Sequence, residues 1–221
     1  GRKHPPHPPL FKKEFSLIRR AIETDPSKTY ERDRHGRTAL HLICAKYDTY
    51  GPYDSEEAFL TARHLIDASF SHGTPFLCPE DNDDDDSATV SYSVHNCVLS
   101  VKDIFGETPL HRLCTTMGGA SCPKLMELLL RHGTEDEERR RMRPSAARLI
   151  GTGNHHGCTP LHFLAENTEQ ISLKSLRLAL SFLRGGDEDD DDNDDEDEPE
   201  MTRTHPLLHQ DSDGDTPLHF A

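Results

Sequence analysis

The nine residues Asp103-Ile104-Phe105-Gly106-Glu107-Thr108-Pro109-Leu110-His111 decide the fold, because their pattern occurs four times in the chain. The other copies are residues 33–41, 154–162 and 211–219. Each copy has Asp or Asn, two variable residues, Gly, one variable residue, Thr, Pro or Ala, Leu and His. These residue types each have a background frequency of roughly one in ten or less, so four chance copies are not credible. The chain therefore contains repeated units that begin near residues 33, 103, 154 and 211.

The residue types of this motif predict a turn followed by a helix. Asp or Asn opens a turn by accepting a hydrogen bond from the backbone two residues on. Gly permits positive φ, Thr caps a helix at about 1 kcal/mol, and Pro suits the first helical position. The residues to which we assign this structural role are Gly36, Thr38, His41, Gly106, Thr108, His111, Gly157, Thr159, His162, Gly214, Thr216 and His219.

An amphipathic stretch follows each of the first three copies and predicts a second helix. After the second copy, Leu125, Leu128 and Leu129 share one helical face, and Gly133 suits the end of that helix. The apolar residues Ala58, Leu60, Ala62, Leu65, Ile66 and Ala68 predict the corresponding helix after the first copy. Leucines at 173, 176, 178, 180 and 183 predict it after the third.

Together these features resemble ankyrin repeats, in which a loop precedes Thr-Pro-Leu-His and two antiparallel helices. The unit from Asp103 to about Thr134 is close to the family's repeat length of about 33 residues, and residues 15–26 resemble the second helix and loop of a preceding unit. The resemblance touches most of residues 11–221. It implies an all-α solenoid with hairpin-like loops, which binds other proteins and has no catalytic activity. It also implies that the motif histidines bond local backbone.

The spacing of the units departs from the family. Successive motif threonines at 38, 108, 159 and 216 are 70, 51 and 57 residues apart. We therefore expect insertions at about 71–100, 135–152 and 185–205, with a β-hairpin at 89–101. Residues 1–10, rich in Pro and His, are expected to be a flexible segment ahead of the repeat domain at 11–221. The fourth unit is truncated, so we expect a fragment or a longer native array.

The amino-acid composition limits the classes of partner that we expect. The net charge of −15 argues against nucleic acid and anionic membranes. Acidic runs at 80–86 and 187–200 are expected to be disordered. Six cysteines at irregular spacing indicate free thiols and a location inside the cell, in the cytoplasm or nucleus. No small-molecule substrate and no cofactor are expected.

The fifteen histidines invite a metal or catalytic interpretation, but the spacing does not favour one. His-x-x-Cys occurs at 41–44 and 111–114, yet Ala165 takes the cysteine position in the third unit, which indicates a small core position. Residues 211–215 lack the glycine spacing of a calcium loop, and Gly151-Thr152-Gly153 lacks the lysine of a phosphate loop. We therefore predict no catalytic, cofactor-binding or metal-binding residue.

The resemblance implies that the loop tips contact the partner. The candidate residues are Arg34, His35, Ile104, Phe105, His155, His156, Ser212 and Asp213. Phe105 is the strongest candidate, either as an exposed anchor or as a residue packed against the neighbouring loop. Two alternatives stay open: the acidic runs capture basic proteins such as histones, or the array is a recognition arm of an enzyme whose catalytic domain lies outside this chain.

Overall fold

The computed structural model describes residues 12–47, 52–71, 97–115, 122–131, 144–166, 172–184 and 205–220. These ranges contain eight α-helices, three short 3-10 helices and no β-strand, so the described part of the chain is all-α. The α-helices are α1 (Lys12–Thr24), α2 (Ala39–Lys46), α3 (Pro52–Ser71), α4 (Pro109–Thr115), α5 (Cys122–Arg131), α6 (Ala146–Gly151), α7 (Pro160–Glu166) and α8 (Ser172–Arg184). The 3-10 helices are Pro26–Tyr30, Pro206–Leu208 and Pro217–Phe220.

The elements that follow the motif turns form one row. Helix α2 packs against α4, α4 packs against α7, and α7 packs against the 3-10 helix Pro217–Phe220. The motif leucines of the first three units, Leu40, Leu110 and Leu161, are buried between these neighbours. In each of these three units, the first helix therefore packs against the next unit along the chain.

The longer amphipathic helices pack in two pairs. Helix α1 packs against α3, and α5 packs against α8. In α3 the apolar face is Ala58, Ala62, Leu65 and Ile66, all buried. The predicted helix is present, but Leu60, one of the apolar residues that predicted it, lies outside this buried face and is 44% exposed. Position 60 lies two residues from Ala58 and Ala62, about half a turn around the helix.

A short buried segment precedes the second and the third motif copies. Val98 and Leu99 form a buried turn before the second unit, and Leu149 and Ile150 on α6 are buried against α5, α7 and α8. Sequence analysis had assigned these residues to insertions. Residues 97–100 form a turn and not the expected strand, while residues 89–96 lie outside the described part of the chain.

Several expectations fall on residues that the structure does not describe. They are the Pro- and His-rich segment at 1–10 and the acidic runs at 80–86 and 187–200.

Candidate interaction surface

Each motif turn is held by its first residue. The side-chain Oδ1 of Asp103 accepts hydrogen bonds from the N–H groups of Phe105 (2.9 Å) and Glu107 (3.0 Å). The backbone N–H of Gly106 also donates to the carbonyl of Asp103 at 2.9 Å. Asp33, Asn154 and Asp211 make the equivalent pairs of bonds. Because the glycines of the four turns have φ between 72° and 86°, the backbone reverses direction within four residues at each turn.

Neighbouring turns are joined by backbone hydrogen bonds. The N–H of Ile104 donates to the carbonyl of His35 at 3.1 Å, and the N–H of His155 donates to the carbonyl of Phe105 at 3.1 Å. The N–H of Ser212 donates to the carbonyl of His156 at 2.8 Å. These bonds align the eight candidate contact residues in one line. We call this line the tip row; it consists of Arg34, His35, Ile104, Phe105, His155, His156, Ser212 and Asp213.

The motif threonine and histidine bind each other, and we call them the Thr–His pair. In the second unit the N–H of Thr108 donates to Nδ1 of His111 at 3.1 Å, and Thr108 Oγ1 lies 2.8 Å from the same nitrogen. The equivalent contacts occur at Thr38, Thr159 and Thr216. Since Nδ1 accepts from a backbone donor, the proton of the neutral ring is on Nε2.

In the first three units, Nε2 of this histidine reaches the following unit. His41 donates to the carbonyl of Glu107 at 3.0 Å, His111 to that of Cys158 at 3.1 Å, and His162 to that of Asp215 at 3.1 Å. The same ring therefore caps its own helix and ties it to the next turn. Sequence analysis anticipated the local bond but not the bond between units, whose acceptor lies 47 to 66 residues away.

Burial controls the charge state of two of these rings. It lowers the pKa of His41 to about 4 and that of His111 to about 4, because a charged imidazolium would lose its hydration there. The carbonyl that accepts from Nε2 acts in the opposite direction and only partly offsets the burial. Both rings are therefore neutral at pH 7, in agreement with the tautomer that their partners require.

The side chains of the tip row differ in exposure. Arg34, His155, His156, Ser212 and Asp213 are exposed, whereas His35 is half-buried. Ile104 is 51% exposed and Phe105 is 50% exposed, which is unusual for two adjacent large apolar residues. The structure thus brings the eight candidates into one line and leaves an aliphatic and an aromatic side chain partly in water at its second turn.

Phe105 has both of the environments considered from the sequence. Half of its surface is exposed, and the guanidinium carbon of Arg112 lies 5.6 Å from the centre of its ring. Arg112 Nε and Nη2 also donate to Oδ2 of Asp103, and Nε lies 3.0 Å from a carboxylate oxygen of Glu107. Sequence analysis missed Arg112, since nothing in the pattern indicates that this arginine turns towards the base of the loop.

The two carboxylates bound by Arg112 respond differently to burial. Burial opposes ionisation of Asp103, but Arg112 and the N–H groups of Phe105 and Glu107 together hold its pKa below the usual range. For Glu107, burial is the larger influence and raises the pKa despite Arg112. The side chain of Asp103 is fully enclosed, so the carboxylate that shapes the second turn is not available to a ligand.

Within the described residues, no group of three or more His, Cys, Asp or Glu side chains is arranged to hold a metal ion. Cys44 and Cys114, the cysteines of the two His-x-x-Cys segments, are buried in the core. The paired histidines have their ring nitrogens occupied by threonine and by a backbone carbonyl. These segments are part of the packing between units.

Comparison of the chain with models of protein families gave no match, and a search of curated proteins also gave none. In the described ranges, none of the helices is both long enough and apolar enough to cross a membrane.

Proposed function

We propose that this chain is an ankyrin-repeat domain that binds other proteins through its tip row and catalyses no reaction. The observation that carries the proposal is the partly exposed pair Ile104 and Phe105 on turns that are bonded to each other in series. Cys44, Cys97, Cys114 and Cys158 are in the reduced form, which suits a reducing compartment inside a cell.

Rigid presentation supports a binding role. Each turn is closed by hydrogen bonds that its own Asp or Asn accepts from backbone N–H groups, and it is joined to its neighbour by a backbone bond. A partner would thus lose little binding free energy to ordering of the loops. Large apolar side chains that stay in water at a fixed position are typical of contact sites, because aromatic anchors contribute much of the affinity of protein interfaces.

The proposal is tested by affinity capture from a cell extract with three forms of the purified chain. They are the wild type, Phe105→Ala, and the control Leu17→Ala, which removes a leucine of similar exposure from α1, outside the tip row. We expect that some proteins bind to the wild type and to the control but do not bind to Phe105→Ala. Circular dichroism must first show that all three forms have the same helix content.

A captured protein is then purified and titrated against the same three forms by calorimetry. A tip-row contact predicts a loss of affinity of roughly tenfold or more for Phe105→Ala. If every captured protein binds Phe105→Ala as tightly as the wild type, the tip row is not the binding surface.

A further inference from the structure

We propose that the tip row binds an acidic segment of a partner polypeptide, with an apolar side chain of that segment seated on Ile104 and Phe105. This inference rests on the proposed function and adds the chemistry of the partner. It follows from how charge is distributed among the four turns and from which charged groups still face solvent.

Charge along the tip row is uneven. Residues 32–37 and 102–112, which contain the first two turns and their supports, have five Arg or Lys residues and three Asp or Glu residues. Residues 209–220, at the fourth turn, have three Asp residues and no Arg or Lys. The first two turns are therefore locally cationic, although the whole chain carries a net charge of −15.

The carboxylates of the first two turns are each bound by an arginine of the same unit. Asp33 Oδ1 accepts from backbone N–H groups and its Oδ2 accepts from Arg37, although its side chain is 30% exposed. Asp103 is bound in the same manner by its turn and by Arg112, and the side chain of Glu107 is largely enclosed beside Arg112. The negative charge of these carboxylates is therefore offset within their own turns.

Two cations of the same turns face outward. Arg34 is exposed, and its Nε lies 3.1 Å from Nε2 of the neighbouring His35. Lys102 is also exposed, and its Nζ donates to the carbonyl of Gly153 at 3.0 Å. Among the described residues, the ion pairs that the structure shows do not include Arg34 or Lys102. Each cation can therefore pair with a carboxylate of a ligand.

The cations lie beside the apolar pair. Arg34 belongs to the turn whose His35 carbonyl binds the N–H of Ile104, and Lys102 lies two residues before Ile104. At physiological salt the Debye length is about 8 Å, so charges adjacent to a bound segment act on it more strongly than the net charge of the whole chain does. An apolar residue flanked by Asp or Glu matches this combination of an apolar pair and neighbouring cations.

The test is selection from a random-peptide display library on the purified full chain at 0.15 M salt, with counter-selection on Phe105→Ala. We expect the enriched peptides to place Asp or Glu next to Leu, Ile or Phe. For a synthetic peptide of that kind, Phe105→Ala should lower affinity roughly tenfold. Arg34→Glu should lower it roughly threefold to tenfold at low salt, and less at high salt.

A matched control makes the charge effect specific. Arg63→Glu applies the same charge reversal to an exposed arginine on α3, outside the tip row, and should leave peptide affinity unchanged. The inference is overturned if the enriched peptides are basic, if no enriched peptide depends on Phe105, or if Arg34→Glu weakens binding no more than Arg63→Glu. If protein partners depend on Phe105 but not on Arg34 or salt, the proposed function stands and this inference alone fails.

Discussion

The third and fourth copies of the motif contain the same five residues, Thr-Pro-Leu-His-Phe, at 159–163 and at 216–220, yet their environments differ. Leu161 is 0% exposed, whereas Leu218 is 63% exposed. The Thr–His pair is the same in both: the threonine N–H donates to Nδ1 of the histidine at 3.0 Å in one copy and 2.9 Å in the other.

This difference distinguishes the interactions that the five residues form among themselves from the interactions that a neighbouring unit provides. The Thr–His pair and the turn form wherever the motif occurs, because all their partners lie within nine residues of sequence. Burial of the leucine and the bond from Nε2 to a carbonyl require a following unit. The third copy also continues into the helix Pro160–Glu166, whereas the described part of the fourth is the 3-10 helix Pro217–Phe220. Tertiary packing supplies most of the stability of such short helices.

The largest expected loss of stability comes from a cavity that forms in only one of the two copies. Leu161→Ala should reduce the free energy of unfolding by about 2–5 kcal/mol, because it empties a fully packed site. Leu218→Ala should change it by less than about 0.5 kcal/mol, since that side chain is already in water. Urea unfolding followed by circular dichroism at 222 nm measures both. Equal losses would mean that Leu218 is covered in solution.

The distinction between local interactions and interactions with a neighbouring unit also describes which features could be predicted from the sequence. The motif roles of Gly106, Thr108 and His111 follow from interactions within a few residues, so the pattern alone indicates them. Arg112 could not be assigned, because its partners Asp103 and Phe105 depend on how the loop folds back over the helix.

The buried segments before the motifs were also missed. Leu149 and Ile150 follow a highly charged stretch and show no repeat pattern, so the sequence indicated an insertion. Their burial depends on a space between α5, α7 and α8 that only the assembled helices create. The exposed position of Ile104 and Phe105 agrees with a tip location, but the pattern could not show how much of each side chain Arg112 and the next turn leave uncovered.

Glycine substitutions have effects that range from about the size of the cavity effect downwards, and they rank the turns by their neighbours. All three of Gly106, Gly157 and Gly214 have positive φ, so replacement by Ala should cost about 1–2 kcal/mol at each. A Cβ at Gly106 would lie 2.8 Å from the backbone nitrogen of His155, and one at Gly157 would lie 3.0 Å from Cα of Asp211. At Gly214 a Cβ would meet nothing within 4 Å.

Gly106→Ala should therefore be the most destabilising of the three, with about 1–3 kcal/mol added for overpacking against backbone. Gly157→Ala should follow, and Gly214→Ala should show the backbone strain alone. The three free energies of unfolding, measured in urea under one set of conditions, give the ranking. If Gly214→Ala costs as much as Gly106→Ala, contact between neighbouring turns contributes little to stability.

The effect that is smallest near neutral pH concerns the buried histidines, and it grows as the pH falls. His41 and His111 have folded pKa values of about 4, below the value of about 6.5 expected in the unfolded chain. Between these values the unfolded state binds more protons, so acidification favours unfolding. Each ring should contribute a loss of about 1.4 kcal/mol per pH unit as pH falls from about 6.5 towards 4, and no further loss below that.

The variant His111→Gln isolates one of these contributions, because Gln at this helix position can still bond the N–H of the capping threonine. The variant should be less stable than the wild type at pH 7, and its stability should fall less steeply between pH 6 and pH 4.5, by about 1.4 kcal/mol per pH unit. The slope is the informative quantity, since any substitution at a buried site changes the intercept. Carboxylates such as Asp103 and Glu107 titrate in both proteins, so their effect largely cancels in the difference. Parallel slopes for the two proteins would show that His111 takes up its proton equally in the folded and unfolded states, and that the following unit does not keep the ring neutral.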